Sequence, residues 1–149
     1  MKIDYIIYNG IPDSIRLTKL LRLHKVIFGS SDDLQMKMEA KPKILVIVAQ
    51  IDEEIIGYKI GYELKADTFY SWLGGVAPKY QKHGIGTKLM EMQHQWIKEN
   101  GYTYVQTKTM NKWRSMLILN IKNGFDVIAT YIDKKGLQKI VLEKRLINE

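Results

Sequence analysis

The chain has 149 residues and no cysteine. This absence excludes a disulfide framework and an acyl-cysteine intermediate, and it makes a cytoplasmic location the default expectation. Long hydrophobic runs are also missing, since the longest extends only from Ile44 to Ala49, far less than a bilayer requires. The first residues lack the apolar stretch of a signal peptide. We therefore expect no membrane partner.

Several signatures of metal and nucleotide sites are absent as well. The three histidines, His24, His83 and His94, show no metal-ligand spacing, so we expect no metal. No Gly-Lys-Ser or Gly-Lys-Thr occurs, which excludes a nucleoside triphosphate P-loop. Leu89 stands where a dinucleotide fingerprint needs its third glycine.

The charge is unbalanced, with 23 Lys and Arg against 16 Asp and Glu and a net charge of +7. The basic residues are scattered and form neither an RNA-recognition motif nor a helix-turn-helix pattern, which disfavours nucleic acid as the partner. A polyanionic cofactor fits the same charge. With 46% hydrophobic and 26% charged residues, the composition indicates one globular domain over residues 1–149.

Hydrophobic periodicity predicts the element order β-α-α-β-β-β-α-β-α-β-β, an α/β fold with a mixed, mostly antiparallel sheet flanked by helices. The segment from Ile55 to Leu64 alternates, so Ile56 and Tyr58 are expected on one face. A helix from Gly84 to about Asn100 is expected to bury one face and to expose His94. The predicted elements span residues 2–8, 14–28, 32–40, 44–51, 55–64, 69–76, 84–100, 103–109, 113–123, 125–132 and 137–146.

A glycine-bearing loop joins the strand that ends at Val76 to the helix that begins near Gly84. Amides at a helix N-terminus point outward unpaired, and together with the positive end of the helix dipole they favour an anion such as phosphate. Lys82, His83 and Lys88 add positive charge, and Gly84 and Gly86 leave the main chain open to close approach. The alternative is an ordinary left-handed turn that leads into a helix.

This loop resembles the acetyl-CoA pyrophosphate loop of the GNAT superfamily of N-acetyltransferases. That signature reads Gln or Arg, two residues, Gly, any residue, and Gly or Ala, preceded by Val-x-Pro at a strand end. The matching residues are Val76, Pro78, Gln81, Gly84 and Gly86. Downstream, Gly124-Phe125 matches the end of the second cofactor segment of the family, and the element order is that of the GNAT fold.

The resemblance implies acetyl-CoA as cosubstrate and transfer of acetyl to a primary amine by direct attack in a ternary complex. Main chain near Gly74, Gly75 and Val76 would bind the pantetheine arm beside a splayed strand, and paired glycines also favour a β-bulge. Asn111 is the candidate for a second cofactor contact, and its alternative role is to cap the next helix. The pyrophosphate would contact the loop residues Gln81, Lys82, His83, Gly84, Ile85, Gly86 and Thr87.

The catalytic groups depart from the pattern of the family. Many members carry a tyrosine general acid four residues before the glycine of Gly-Phe, whereas this chain has Asn120, whose amide can hydrogen-bond a thiolate. Glu63 is the first candidate base, and its alternative role is an ion pair with Lys59. Tyr70 is a further catalytic candidate.

The acceptor and the assembly state stay open. The acceptor amine is either a small molecule or a peptide, and a homodimer is open. The aromatics Tyr62 and Trp72 either belong to the core or line an acceptor pocket. The alternative functions are a non-catalytic acyl-CoA-binding sensor and a basic protein associated with nucleic acid.

Overall fold

A computed structural model describes residues 2–147 of the chain. The predicted order of elements is confirmed, with a single turn of 3₁₀ helix added at Pro78–Tyr80. The helices are α1 (Ser14–Phe28), α2 (Leu34–Glu39), α3 (Ile85–Glu99) and α4 (Arg114–Lys122). The strands are β1 (Asp4–Tyr8), β2 (Leu45–Ile51), β3 (Glu54–Lys65), β4 (Thr68–Val76), β5 (Tyr104–Thr109), β6 (Asp126–Ile132) and β7 (Gln138–Arg145).

The seven strands form one open sheet in the order β1-β2-β3-β4-β5-β7-β6. Every neighbouring pair is antiparallel except β4 and β5, which run parallel. A parallel pair needs a crossover connection, and α3 supplies it between these two strands. The predicted α/β fold with a mostly antiparallel sheet is therefore confirmed.

Two hydrophobic cores lie on opposite faces of the sheet, and both include fully buried side chains such as Leu20 and Ile97. Burial of a large aliphatic side chain stabilises a fold by about 1.5–3 kcal/mol, so both faces contribute to folding. The core beneath α1 and α2 contains Leu17, Leu20, Leu23, Leu34, Met38, Val46, Val48, Tyr58 and Ile60. The core beneath α3 contains Leu45, Ile47, Ile56, Phe69, Ile85, Leu89, Met90, Ile97, Val105, Phe125 and Leu142.

The bounds of α1 follow from its capping residues. The Asp13 carboxylate accepts a hydrogen bond from the Arg16 amide at 3.0 Å, so Asp13 is the N-cap. At the other end Gly29 adopts a left-handed conformation with φ 86°, which is typical of a glycine that ends a helix. His24, inside this helix, is buried and shares a hydrogen bond with the Tyr58 hydroxyl.

The buried face of α3 differs from the one expected. His94 is 8% exposed, so the prediction that it faces solvent is wrong. Its ring lies 5.5 Å from that of Phe125, which follows α4 and covers this side of α3. Gln93 is also buried, whereas Met92 and Trp96 are only partly buried.

A register shift between β2 and β3 changes which side chains share a face. Ala49 pairs with Gly57 but Gln50 pairs with Ile55, which leaves Ile56 as an extra residue in β3. Ile56 therefore joins the core under α3 while Tyr58 joins the opposite core, contrary to the simple alternation.

Candidate functional site

Strands β4 and β5 separate part-way along their length. They pair only from Thr68 to Tyr70 on β4, and one further contact joins the Thr107 hydroxyl to the Ser71 carbonyl at 2.9 Å. Beyond Ser71 the described residues show no pairing between these strands, although β4 continues to Val76. Since Leu73–Val76 still pairs with β3 on its other side, one edge of this segment presents free main-chain groups to a gap.

The bulge in β4 lies at Trp72 rather than at the paired glycines. Ile60 pairs with Leu73 and Gly61 with Ser71, so Trp72 is the extra residue. The glycines serve close packing instead: a Cβ on Gly75 would lie 2.7 Å from Ile27 Cδ1 of α1, and one on Gly74 would lie 3.2 Å from the Tyr58 carbonyl. They allow α1 and β3 to approach the segment closely.

The loop after β4 is held against the strand end by a side chain. Gln81 Nε2 donates to the Val76 carbonyl at 3.2 Å. Lys82 with φ 65° and Gly84 with φ 77° both take left-handed conformations, which turn the chain into α3. The first helical bond runs from the Lys88 amide to the Gly84 carbonyl at 3.0 Å.

The first amides of α3 have no side-chain cap, because Gly84 is the N-cap residue. The amides of Ile85, Gly86 and Thr87 lie in the first helical turn, which has no intrahelical acceptors. Lys82, His83 and Lys88 are exposed around them. A positive, uncapped helix N-terminus beside an open strand edge fits a diphosphate joined to an extended arm.

The two asparagines occupy different surroundings. Asn111 is exposed, and no side chain caps α4, so the alternative that Asn111 caps this helix does not hold. Asn120 is 3% exposed, and its main-chain carbonyl accepts a hydrogen bond from the Phe125 amide at 3.0 Å. Their predicted contacts with cofactor stay predictions.

Glu63 lies away from the open segment of β4. Its carboxylate accepts from the Tyr102 hydroxyl at 2.9 Å and pairs with Lys43 at 3.5 Å, so Lys59 is not its partner. Glu63 pairs with Phe69 on β4, whereas Ile60 pairs with Leu73 at the start of the open segment. Three residues of β3 separate Glu63 from Ile60, which corresponds to about 10 Å along the strand. The general-base role stays a prediction, with this separation against it.

Tyr70 lies at the last paired position of β4, where the gap begins. Burial, and then the neighbouring Tyr62 and Tyr131, raise the pKa of its hydroxyl. A phenol with a raised pKa stays protonated, so Tyr70 is suited to donate a hydrogen bond or a proton rather than to accept one.

Lys59 is a residue to which sequence reasoning gave only an alternative role, as the ion-pair partner of Glu63. Its ammonium lies 3.7 Å from the position of a Cβ on Gly74, on the face that α3 covers. Burial lowers its pKa to about 8. Burial, followed by the charges of Lys144 and Lys59, also lowers the pKa of His94 to about 3. The pairing of Lys59 with Gly74 is visible only once the β3–β4 register is known.

Residues 2–147 contain no group of three or more side chains that could hold a metal ion. None of the helices in this part of the chain is both long and apolar enough to span a bilayer.

The family assignment comes from the sequence. A family described as the acetyltransferase (GNAT) domain matches residues 42–127, more than half of the chain. The chain belongs to the GNAT acetyltransferase family. The match includes the splayed segment of β4, the loop and α3. No curated protein sequence gives a significant match.

Solved structures agree on the fold. The ribosomal-protein-S18-alanine N-acetyltransferase of Escherichia coli has a TM-score of 0.80 at 13% identity, and the match covers 98% of this chain and 96% of that one. An aminoglycoside 6'-N-acetyltransferase complexed with coenzyme A has a TM-score of 0.81 at 13% identity, over 97% and 98% of the two chains. A GNAT acetyltransferase of Elizabethkingia anophelis with acetyl-CoA bound gives 0.73 at 20% identity, over 96% and 97%.

Proposed function

We propose that this GNAT protein is an N-acetyltransferase that moves acetyl from acetyl-CoA to a primary amine by direct attack in a ternary complex. The observation that carries the proposal is the open edge of Leu73–Val76 beside the uncapped N-terminus of α3. Two structural neighbours, complexed with coenzyme A or acetyl-CoA, share the fold and support the choice of cosubstrate. The absence of cysteine favours direct attack, because no acyl-cysteine can form.

In this account the main chain and the loop divide the work. The acetyl thioester supplies the activated acyl group. The free edge of Leu73–Val76 binds and orients the extended arm, and an amide there donates to the carbonyl oxygen as charge develops. The amides and cations from Gln81 to Thr87 hold the diphosphate, and Asn111 adds a contact with the cofactor.

Proton transfer is assigned to few groups. The Asn120 amide is proposed to hydrogen-bond the leaving thiolate, which is a good leaving group and takes its proton from water. Tyr70 stands at the mouth of the gap with a protonated hydroxyl that can orient the acceptor or the thiolate. Neither side chain is a base, so the amine must lose its proton by another route.

The test is release of free thiol from acetyl-CoA in the presence of a panel of primary amines. Amine-dependent release, with mass spectrometry showing a gain of one acetyl group on the amine, supports the transferase. The specific rival is a non-catalytic acyl-CoA sensor, which Asn120 favours because it replaces the general-acid tyrosine. Tight acetyl-CoA binding without release of thiol for any amine would favour the sensor.

A cytoplasmic location and one domain over residues 1–149 are part of the same proposal. Both rest on composition, namely the missing cysteine and the balance of apolar and charged residues.

A further inference from the structure

A cluster of aromatic rings lies where β4 leaves β5. Tyr62 on β3 pairs with Tyr70 on β4, and their ring centroids are 5.3 Å apart. The Trp72 ring meets Tyr62 edge-on at 5.7 Å. All three side chains are half-buried rather than sealed in the core. Because Tyr70 is the last β4 residue paired with β5, this cluster adjoins the gap.

The bulge of β4 shapes this cluster. The extra residue Trp72 and its neighbour Leu73 both pack with the core beneath α1 and α2, although consecutive residues of a regular strand face opposite ways. The cluster therefore lies on the face of the sheet opposite α3. The three rings are half-buried there, so part of their surface faces solvent.

Two ammonium groups lie over these rings. Lys41 Nζ lies 4.9 Å from the ring centroids of both Tyr62 and Trp72. Lys108 Nζ lies 6.0 Å from the Tyr70 centroid and 5.3 Å from that of Tyr131 on β6. Lys108 belongs to β5, so the two lysines come from different segments and lie over different rings of the cluster.

Neither lysine forms an ion pair with any residue between positions 2 and 147. The carboxylate of Glu143 is on the nearby strand β7, where it accepts from the Gln106 amide at 2.6 Å. Glu63 is engaged by Tyr102 and Lys43. Two ammonium groups therefore lie over the rings without a carboxylate partner, which gives the cluster a positive potential.

Resting on the proposed function, we propose that Lys41, Lys108, Tyr62, Tyr70 and Trp72 form the acceptor pocket, and that the acceptor is an aromatic amine that carries a carboxylate. The rings provide a flat apolar surface, and the lysines provide the charge that an acid group requires.

This pocket chemistry also affects the amine. A positive potential favours the neutral form of an amine, which is the form that attacks a thioester. The pocket therefore assists deprotonation of the amine. The same potential disfavours polycations, in contrast to the aminoglycoside named for one structural neighbour.

The first experiment measures binding without transfer. The probe is 3-phenylpropionate, which has the ring and the carboxylate but no amine, and its matched cation is phenylethylamine. The indole N–H signal of Trp72, assigned with Trp72→Phe, reports binding in solution. We expect 3-phenylpropionate to shift this signal, and the double variant Lys41→Gln/Lys108→Gln to weaken its binding at least about tenfold.

The control variant is Lys98→Gln, which removes one positive charge from the exposed end of α3 and should leave probe binding unchanged. No shift of Trp72 with 3-phenylpropionate, tighter binding of phenylethylamine, or equal binding by the double variant would overturn the pocket.

The second experiment measures transfer with acetyl-CoA present. Phenylalanine should exceed phenylalaninamide in kcat/KM by about tenfold. We expect this even though the amine of phenylalaninamide is the weaker base and is therefore more often in the neutral, attacking form. Kanamycin should be the poorest acceptor. The double variant should remove the preference for phenylalanine. A preference for phenylalaninamide or kanamycin contradicts the inference while leaving the transferase standing. Lysine-dependent probe binding with no transfer to any amine supports the pocket and contradicts the proposed function.

Discussion

Lys59 gives a stability prediction whose size follows from the structure. Its ammonium lies against β4, 3.7 Å from the position of a Cβ on Gly74, and it has no ion-pair partner within residues 2–147. Burial lowers the pKa from 10.5 to about 8. At about 1.4 kcal/mol for each tenfold change in proton affinity, keeping the charge in the fold costs up to about 3 kcal/mol. Partial exposure of the side chain reduces that cost, so we expect about 1–3 kcal/mol.

The sign of the pH dependence follows from proton binding. The unfolded chain binds more protons than the folded chain between pH 8 and 10.5, so the free energy of unfolding rises with pH across this window. Lys59→Met should therefore raise the free energy of unfolding by about 1–3 kcal/mol at pH 7, and this gain should shrink towards pH 10.

Urea unfolding of wild type and Lys59→Met at pH 7 and pH 10 measures both quantities. The control is Lys98→Met at the exposed end of α3, where a change within about 0.5 kcal/mol is expected. A Lys59→Met protein that is less stable than wild type at pH 7, or a gain that does not depend on pH, would refute the reasoning.

Three further predictions concern stability and mechanism. Burial lowers the pKa of His94 to about 3, so below pH 6.5 the folded chain binds fewer protons than the unfolded chain and loses stability. His94→Leu should remove about 2 kcal/mol of this loss at pH 4.5, measured against pH 7 by urea unfolding. An unchanged loss would contradict this. Gly61→Ala should lower the free energy of unfolding by about 1–3 kcal/mol, because its Cβ would lie 2.8 Å from both the Phe69 ring and the Tyr70 carbonyl. The control is Gly86→Ala, where the nearest contact is 3.8 Å. An equal loss of stability for the two variants in thermal unfolding would refute the packing argument. Glu63→Gln should leave the shape of the pH profile of acetyl transfer unchanged, and a shifted acidic limb would return Glu63 to the mechanism as a base.

The local signals of the sequence were sufficient for the elements and the loop. Helix α1 begins and ends where predicted, at 14 and 28, because its caps Asp13 and Gly29 depend only on a few adjacent residues. The loop from Gln81 to Gly84 was also recognisable, since left-handed glycine and an uncapped helix end are properties of a short segment.

The remaining features depend on contacts between distant segments. The burial of His94 requires Phe125 to pack over α3, and no periodicity within the helix reveals that neighbour. The bulge at Trp72 and the partner of Glu63 depend on the register between β3 and its neighbours. The aromatic cluster at the gap likewise becomes visible only when β4 and β5 are seen to separate.

The central claim is that the loop before α3 binds the diphosphate of an acyl-CoA. Calorimetric titration with acetyl-CoA of wild type, Gly84→Asn and Gly84→Asp tests it directly. Both side chains tolerate the left-handed conformation at φ 77°, and they have the same size. Only Asp places a negative charge against the phosphates.

We expect wild type to bind acetyl-CoA, Gly84→Asn to retain most of the affinity, and Gly84→Asp to bind at least about tenfold more weakly than Gly84→Asn, while both variants unfold cooperatively. No binding by wild type, or equal affinities for the Asn and Asp variants, would contradict the account.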